Sequence, residues 1–241
     1  MKKALVFYGG WDGHEPVLVS DRFAKMLEGE GYDVKVTDSQ ECLGNLEYLM
    51  SLDLIVPCWT MGDIDNDYVN NIAKAVGAGT GLAGCHGGMC DSFRSNVQWQ
   101  FITGGQWVSH PGGDGIKYIV NINHGSNPII EGINDFEVIS EHYYLHIDPA
   151  IEVLATTYMP SPSVPYYHIS NKPIAMPVVW TKFWGNGRVF YNSLGHHNDV
   201  FDIPEAALLM KRGLIWAGQG KQYTIENGLT TERFESSAKM Y

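Results

Sequence analysis

Gly81-Leu82-Ala83-Gly84-Cys85-His86-Gly87-Gly88 is the stretch on which the fold turns. Residues 81–85 form an apolar run of strand length that breaks directly into glycines. A small-x-X-x-small sequence between a strand and a helix is the pattern of a nucleophile elbow. There the central residue is held in a strained turn with its side chain exposed, and glycines let the backbone pass closely. In that frame the central residue is His86, while Cys85 points into the sheet as a small buried hydrophobe. The plainer alternative is an ordinary glycine-rich turn between strand and helix.

Working outward, the chain up to Cys90 repeats one alternation. Ala4–Tyr8 is a short apolar run ending at Gly9-Gly10, as a buried parallel strand would. Residues from about Pro16 to Glu30 follow helical spacing, with Val19, Phe23, Met26 and Leu27 on one face, and Gly31 stops the helix. Asp33–Thr37 is predicted as a strand, Leu46–Met50 as a short helix, Asp53–Trp59 as a strand and Asp65–Val76 as a helix. Such repetition implies an α/β fold of three layers, Rossmann- or flavodoxin-like, with a mainly parallel sheet.

The second half changes character. Gly104–Gly115, which contains His110-Pro111-Gly112-Gly113, reads as a glycine-rich loop. Ile116–Ile122, Phe136–Ser140 and Ile151–Thr156 read as strands joined by turns, and Tyr158–Pro165, rich in proline, as a loop. Pro177–Phe183 and Arg188–Ser193 flank Gly185-Asn186-Gly187, a hairpin signal, so a late β-hairpin extends or flanks the sheet. Pro204–Gly218 is a closing helix with proline at its start. No internal repeat or linker interrupts the chain, so residues 1–220 are read as one domain and residues 221–241 as a polar C-terminal tail.

Composition narrows the partners. The net charge is −11, from 16 basic and 27 acidic residues, with no basic cluster to neutralise phosphates, so nucleic acid and anionic membranes are not expected partners. No run of apolar residues is long enough for a membrane span, and the N-terminal apolar stretch is too short for a signal-peptide core, so a cytoplasmic location is expected. Cys42, Cys58, Cys85 and Cys90 show no CxxC spacing and read as reduced thiols.

The nine histidines are informative because of where they fall. Four segments sit at predicted strand ends, where ligands bind in doubly wound sheets. They are Gly9-Gly10-Trp11-Asp12-Gly13-His14, Gly84-Cys85-His86-Gly87-Gly88, Glu141-His142-Tyr143-Tyr144 and Leu194-Gly195-His196-His197. A single loop histidine is more often structural than catalytic; four such segments on one sheet edge point the other way. His142, His146, His124 and His168 are read as surface or turn positions.

Three motifs together resemble the trehalose-utilisation (ThuA-like) proteins over nearly the whole chain. They are Gly84-Cys85-His86-Gly87-Gly88, Glu141 with its following tyrosines, and Pro177-Val178-Val179-Trp180. The last continues through Gly187-Arg188-Val189-Phe190-Tyr191-Asn192-Ser193-Leu194-Gly195-His196, with Arg212-Gly213-Leu214-Ile215-Trp216-Ala217 downstream. The resemblance implies a class I glutamine amidotransferase-like fold and an association with the use of trehalose and related disaccharides. True amidotransferases place cysteine at the elbow and a histidine, then an acid, after a late strand. Here the late histidine corresponds to His196, but the elbow holds His86. An imidazole does not replace a thiolate in forming the acyl intermediate, so glutamine amidotransferase activity is not expected.

The expected activity is therefore a hydrolase, lyase or isomerase of carbohydrate catabolism, acting on a disaccharide or keto-glycoside. His86, Glu141 and His196 are the candidate acid–base residues. His14, His86, Glu141 and His196 also form a candidate ligand set for a divalent metal, zinc or similar. His197 competes with His196 for that place, and no nucleotide cofactor is expected. Trp11, Asp12, Tyr144 and His110 are candidate substrate-binding residues, with Trp59, Trp107, Tyr143 and Trp184 as further sugar-stacking faces. Asp63, Asn198 and Asp199 are further hydroxyl partners. The alternative is a non-catalytic sugar-binding or regulatory protein that kept the scaffold and lost its nucleophile. A homo-oligomer is left open.

Overall fold

The computed structural model describes residues 1–160 and 171–234. In chain order the elements are β1 (Lys2–Gly10), α1 (Pro16–Glu28), β2 (Tyr32–Thr37), α2 (Leu46–Ser51), β3 (Leu54–Thr60), α3 (Asn66–Gly77), β4 (Gly81–Cys85) and α4 (Gly87–Cys90). There follow α5 (Val97–Thr103), β5 (Gly105–Ser109), β6 (Ile116–Ile122), β7 (Phe136–Ser140), β8 (Tyr144–Ile147), β9 (Glu152–Met159), β10 (Ile174–Trp184), β11 (Gly187–Asn192) and α6 (Pro204–Glu226). Helix starts are marked chemically: proline opens α1 and α6, while Asn45, Asp65 and Asn96 accept backbone N–H bonds at the starts of α2, α3 and α5.

One nine-stranded sheet runs in the order β2-β1-β3-β4-β11-β10-β9-β6-β7. From β2 to β11 every pairing is parallel, in the 2-1-3-4-5 order of flavodoxin-like sheets. From β11 onward the pairings are antiparallel, beginning with the β10–β11 hairpin. Gly185 closes that hairpin at φ +61°, and a Cβ there would lie 2.7 Å from the Gly77 backbone. Only two register pairs, Asn121–Thr156 and Ile122–Ala155, tie β6 to β9. The β6–β7 ribbon is thus free to leave the sheet plane, and Tyr118, Val120 and Val138 pack in the same core as Val200 and Phe201.

The β1 side chains alternate between two cores. Ala4 and Val6 pack with α1 and α6, and Leu5 and Phe7 with α2, α3 and α5. The same alternation in β4 puts Ala83 and Cys85 against α1 and α6. This is the three-layer arrangement read from the β-α repetition.

Two readings are corrected. Gly104–Gly115 is not a loop throughout: residues 105–109 form β5, paired antiparallel with β8 in a separate two-stranded sheet. The flanking glycines masked a strand of only Gln106-Trp107-Val108 and its neighbours. The closing helix does not stop at Gly218, and the boundary at residue 220 falls inside α6. Gly218 and Gly220 are contact positions rather than stops, since a Cβ at either would meet Tyr32 or Arg188. The predicted loop Tyr158–Pro165 begins in β9, and its remainder beyond Pro160 lies outside the described residues.

Gly213 shows how tightly α6 sits on the sheet: a Cβ there would lie 2.2 Å from the ring of the fully buried Phe190. Gly213→Ala gains about 1 kcal/mol of helix propensity but overpacks a rigid core at a cost of about 1–3 kcal/mol. The steric effect is expected to win because neither backbone nor ring has room to yield. Urea unfolding followed by circular dichroism should show a lower midpoint for Gly213→Ala; a raised midpoint would show that the helix can move off Phe190.

Candidate functional site

The carboxyl ends of β1, β4, β7 and β11 each deliver one polar side chain to a common point. His14 comes from the short turn after β1, His86 from the elbow after β4, Glu141 from the residue following β7, and His196 from the segment after β11. One ligand atom from each lies within 4.8 Å of all the others, and all four residues are buried. The three imidazole centroids form a triangle with sides of 4.6, 5.0 and 5.4 Å.

The elbow is strained as its sequence predicts, but its side chain is buried within the cluster rather than exposed. His86 sits at φ +46°, ψ −134°, a region non-glycine residues avoid. It is held there by its N–H donating to Asn192 O at 2.7 Å and by the Tyr191 hydroxyl donating to its carbonyl at 3.1 Å. On the ring, Nδ1 lies 2.8 Å from the Ser193 carbonyl, which can only accept. Nδ1 therefore carries the hydrogen, and Nε2 faces Glu141 Oε2 at 3.1 Å. His14 is oriented similarly, with Nδ1 bonded to the Thr60 hydroxyl at 2.8 Å and Nε2 3.9 Å from Glu141 Oε2. His196 Nδ1 lies 3.2 Å from that oxygen but makes no hydrogen bond, and it is buried.

Burial pushes the His86 imidazolium down to about 4, the Glu141 bond and charge opposing only in part. Burial likewise lowers His14, against the Glu141 hydrogen bond. For Glu141 burial acts upward, but the three imidazoles of His14, His196 and His86 beside it outweigh burial and hold the carboxyl below its ordinary range. At neutral pH these directions give a carboxylate facing a neutral His86 whose one N–H is committed to Ser193. Two sets of lone pairs then meet across 3.1 Å. Such a contact is attractive only with a proton or a cation in it. Three imidazole nitrogens and one carboxylate oxygen, two of the rings fixed from behind by Ser193 and Thr60, match the donors and outer partners of a zinc-type site.

Around the cluster the structure sorts the other candidates. His110 reaches it: Nδ1 is 3.7 Å from Glu141 Oε1, with the ring partly exposed. Trp11 meets the His14 ring edge-on at 4.8 Å and is 47% exposed. Asp12 is exposed on the same turn and stands outside the ligand set. Tyr143 stacks on His86 at 3.8 Å, whereas Tyr144 packs with the α2–α3 core and its hydroxyl accepts from Asn171 at 3.5 Å. Glu141 and Tyr143 share a face and His142 takes the other, the alternation of extended chain. His142 is accordingly not a surface residue. It is buried, stacked on Tyr118 at 4.2 Å and bonded to Thr157.

His196, not His197, faces Glu141. His124 and His146 are exposed, and His168 lies outside the described residues. Trp107 lies beside His110 and Tyr143 under the Arg94 guanidinium, and Arg94 binds Asp91. Trp59 is half-buried at the end of β3. Trp184 lies at the hairpin tip, at the opposite end of the sheet, and Asn198 is engaged by Arg22. Asp63 and Asp199 are exposed and outside the cluster. Thr60, Asp91 and Arg94 escaped the sequence reading because nothing in their neighbours marks them. Thr60 was accessible in principle, as the last residue of a strand adjoining β1. A separate concavity of about 650 Å³, lined by Leu46, Met50, Ala73 and Trp184 among others, contains none of the clustered groups. Chemistry rather than size marks the site.

The family model described as ThuA, trehalose utilisation, matches residues 3–217. Among solved structures, a ThuA-like protein from Parabacteroides merdae is 18% identical with a TM-score of 0.71, covering 91% of this chain and 91% of that one. A ThuA-like protein from Bacteroides uniformis is also 18% identical, with a TM-score of 0.70 over 90% of this chain and 91% of the other. A β-galactosidase from Bacillus circulans is 14% identical with a TM-score of 0.56, covering 92% of this chain but 31% of its own. These likenesses show the fold. No curated protein matches the sequence.

Cys85 is buried beside the elbow, and burial raises its thiol well above the ordinary value, as it does for Cys58 and Cys90. A nucleophilic cysteine needs the opposite shift. Under native conditions iodoacetamide should modify the half-buried Cys42 first and leave Cys85 intact by peptide mass spectrometry. Alkylation of Cys85 as fast as Cys42 would mean that the thiol, not His86, occupies the elbow's working position.

Proposed function

The chain belongs to the ThuA trehalose-utilisation family, and on that premise we propose an enzyme of carbohydrate catabolism that acts on a disaccharide or an oxidised (keto) glycoside. The observation that carries this reading is the convergence of His14, His86, Glu141 and His196 at the carboxyl edge of the sheet, with ligand atoms within 4.8 Å. A binding protein has no need for four buried ionisable groups with opposed lone pairs.

The donor set fits a divalent cation of the zinc type, held by His14 Nε2, His86 Nε2, His196 Nδ1 and Glu141. Such an ion would supply Lewis-acid polarisation of a substrate oxygen. The chain's own residues do the rest. Ser193 and Thr60 keep the rings aimed, and Tyr143 covers the outer face of His86. Trp11 and the Trp107–His110 pair give flat apolar faces for a sugar ring. His110, partly exposed and 3.7 Å from Glu141, is the imidazole placed to accept a proton from substrate. A ketone next to the scissile position makes the neighbouring C–H acidic, which suits a histidine base; isomerisation and elimination of the leaving sugar begin from the resulting enolate, and net hydrolysis follows when water adds to the eliminated product. Where no cation is bound, His86 and Glu141 themselves form the proton-moving pair. Glutamine hydrolysis through Cys85 has no support, since that side chain faces the core.

Metal analysis of the purified protein, with turnover measured on trehalose, related disaccharides and their keto forms, tests the reading. Glu141→Gln should lower metal affinity by at least tenfold and abolish turnover. His110→Asn should keep the metal and lower kcat by roughly 10²-fold or more. Metal binding with no turnover on any sugar would replace the enzyme with the non-catalytic sugar-binding reading. Turnover without metal would leave the His86–Glu141 acid–base version.

A further inference from the structure

His196 has a second nitrogen, and it is not idle. While Nδ1 faces Glu141, Nε2 points the other way, 3.9 Å from Asp114 Oδ2. His197 Nε2 approaches the same carboxylate oxygen at 3.4 Å. One ligand atom each from Asp114, His196 and His197 lies within 4.8 Å of the other two. We propose a second divalent-cation site, formed by Asp114, His196 and His197 and joined to the inner one through the His196 imidazole. It rests on reading the inner cluster as a metal site.

Three independent features shape this second group. Asp114 stands in the turn Gly112-Gly113-Asp114-Gly115, where its Oδ1 accepts the Gly115 N–H at 2.7 Å and leaves Oδ2 to the imidazoles. Behind His197, Nδ1 is buried without a hydrogen bond and faces Glu15 Oε1 at 3.8 Å, while Glu15 is anchored by accepting the Asn198 N–H at 2.8 Å. A carboxylate behind the far nitrogen of a histidine is the usual outer partner of a metal-bound imidazole, and it leaves Nε2 bare toward Asp114. Charge points the same way. Among the described residues the ion-pairing partners of both Glu141 and Asp114 are imidazoles, with no lysine or arginine.

A neutral imidazole has one N–H and one lone pair. To serve two cations, His196 gives up its remaining proton to solvent and bridges them as an imidazolate. Glu141, Asp114 and that imidazolate then carry three negative charges, with Glu15 as a fourth behind His197, against two divalent ions. The two positions differ in access. The inner donors are buried, whereas Asp114 is 51% and His197 38% exposed. The outer ion therefore has three protein ligands and open positions toward solvent, the arrangement of a site that takes up substrate oxygen.

Titration of the metal-stripped full chain with cobalt(II), followed by calorimetry and visible absorption, tests this. Two equivalents are expected for the wild type, and one for Asp114→Asn and for His197→Gln, with inner affinity changed less than tenfold. Both substituted positions are partly exposed, so folding should survive, as circular dichroism would verify. Copper(II) loading should give an exchange-coupled electron paramagnetic resonance spectrum in the wild type and an isolated-ion spectrum in Asp114→Asn. One equivalent in the wild type, unchanged by Asp114→Asn, would overturn the second site and leave the inner one standing. No binding would overturn both. Two equivalents in every protein would place the second ion elsewhere, and two uncoupled coppers would overturn the bridge.

Discussion

The meeting of His86 Nε2 with Glu141 Oε2 at 3.1 Å organises the molecule. The two residues leave strands β4 and β7, which stand five places apart in the sheet order. A flat sheet would keep them far from each other. They meet because the β6–β7 ribbon pairs with β9 only at its Asn121–Asn123 end and folds over the α1–α6 side of the core. Tyr118 on β6 then donates its hydroxyl to the Glu141 carbonyl at 2.8 Å, fixing the backbone that presents the carboxylate. Half the sheet is thus parallel scaffold, and the antiparallel half acts as an arm that carries one acid to three histidines.

Strain gathers at the same edge. Among the described residues, the non-glycine ones with positive φ are Glu15, Met61, His86 and Phe93. Glu15, Met61 and His86 follow closely on the ends of β1, β3 and β4, and Phe93 is tied to Met61 by a backbone bond of 3.2 Å. Each such residue costs on the order of 1–3 kcal/mol, tolerated only where surroundings over-determine the conformation. The cores on either face supply that rigidity. Phe7, Phe23, Trp180 and Phe190 are fully enclosed.

Much of this was legible in the residues, for identifiable reasons. The parallel half declares itself because each βα unit carries its own signal: apolar run, glycine break, 3.6-residue periodicity. The elbow frame correctly separates His86 from Cys85 because strand alternation decides which of two neighbours enters the core. The four clustered groups were each at a strand end, and the fold rule brings strand ends together. Where the reading failed, the cause was long-range. His142 looked like a turn residue because its ring partner, Tyr118, lies on another strand. The place of Tyr143 on the His86 ring follows from a period of two through Glu141 in extended chain. β5 was lost among glycines because its partner β8 lies far along the chain. Gly218 and Gly220 mimicked a helix stop because their reason is contact with Tyr32 and Arg188.

The orientation of the rings has a thermodynamic corollary. Ser193 and Thr60 hold the rings of His86 and His14 with Nε2 turned inward, and at His86 folding itself sets an imidazole lone pair against the Glu141 carboxylate. The cluster is a point of local frustration, imposed by the strands that surround it. Conformational freedom is surrendered at the folding step, so little remains to be lost when a guest arrives. An occupant that relieves the repulsion binds the native chain and not the unfolded one, and the melting temperature becomes a readout of its free concentration.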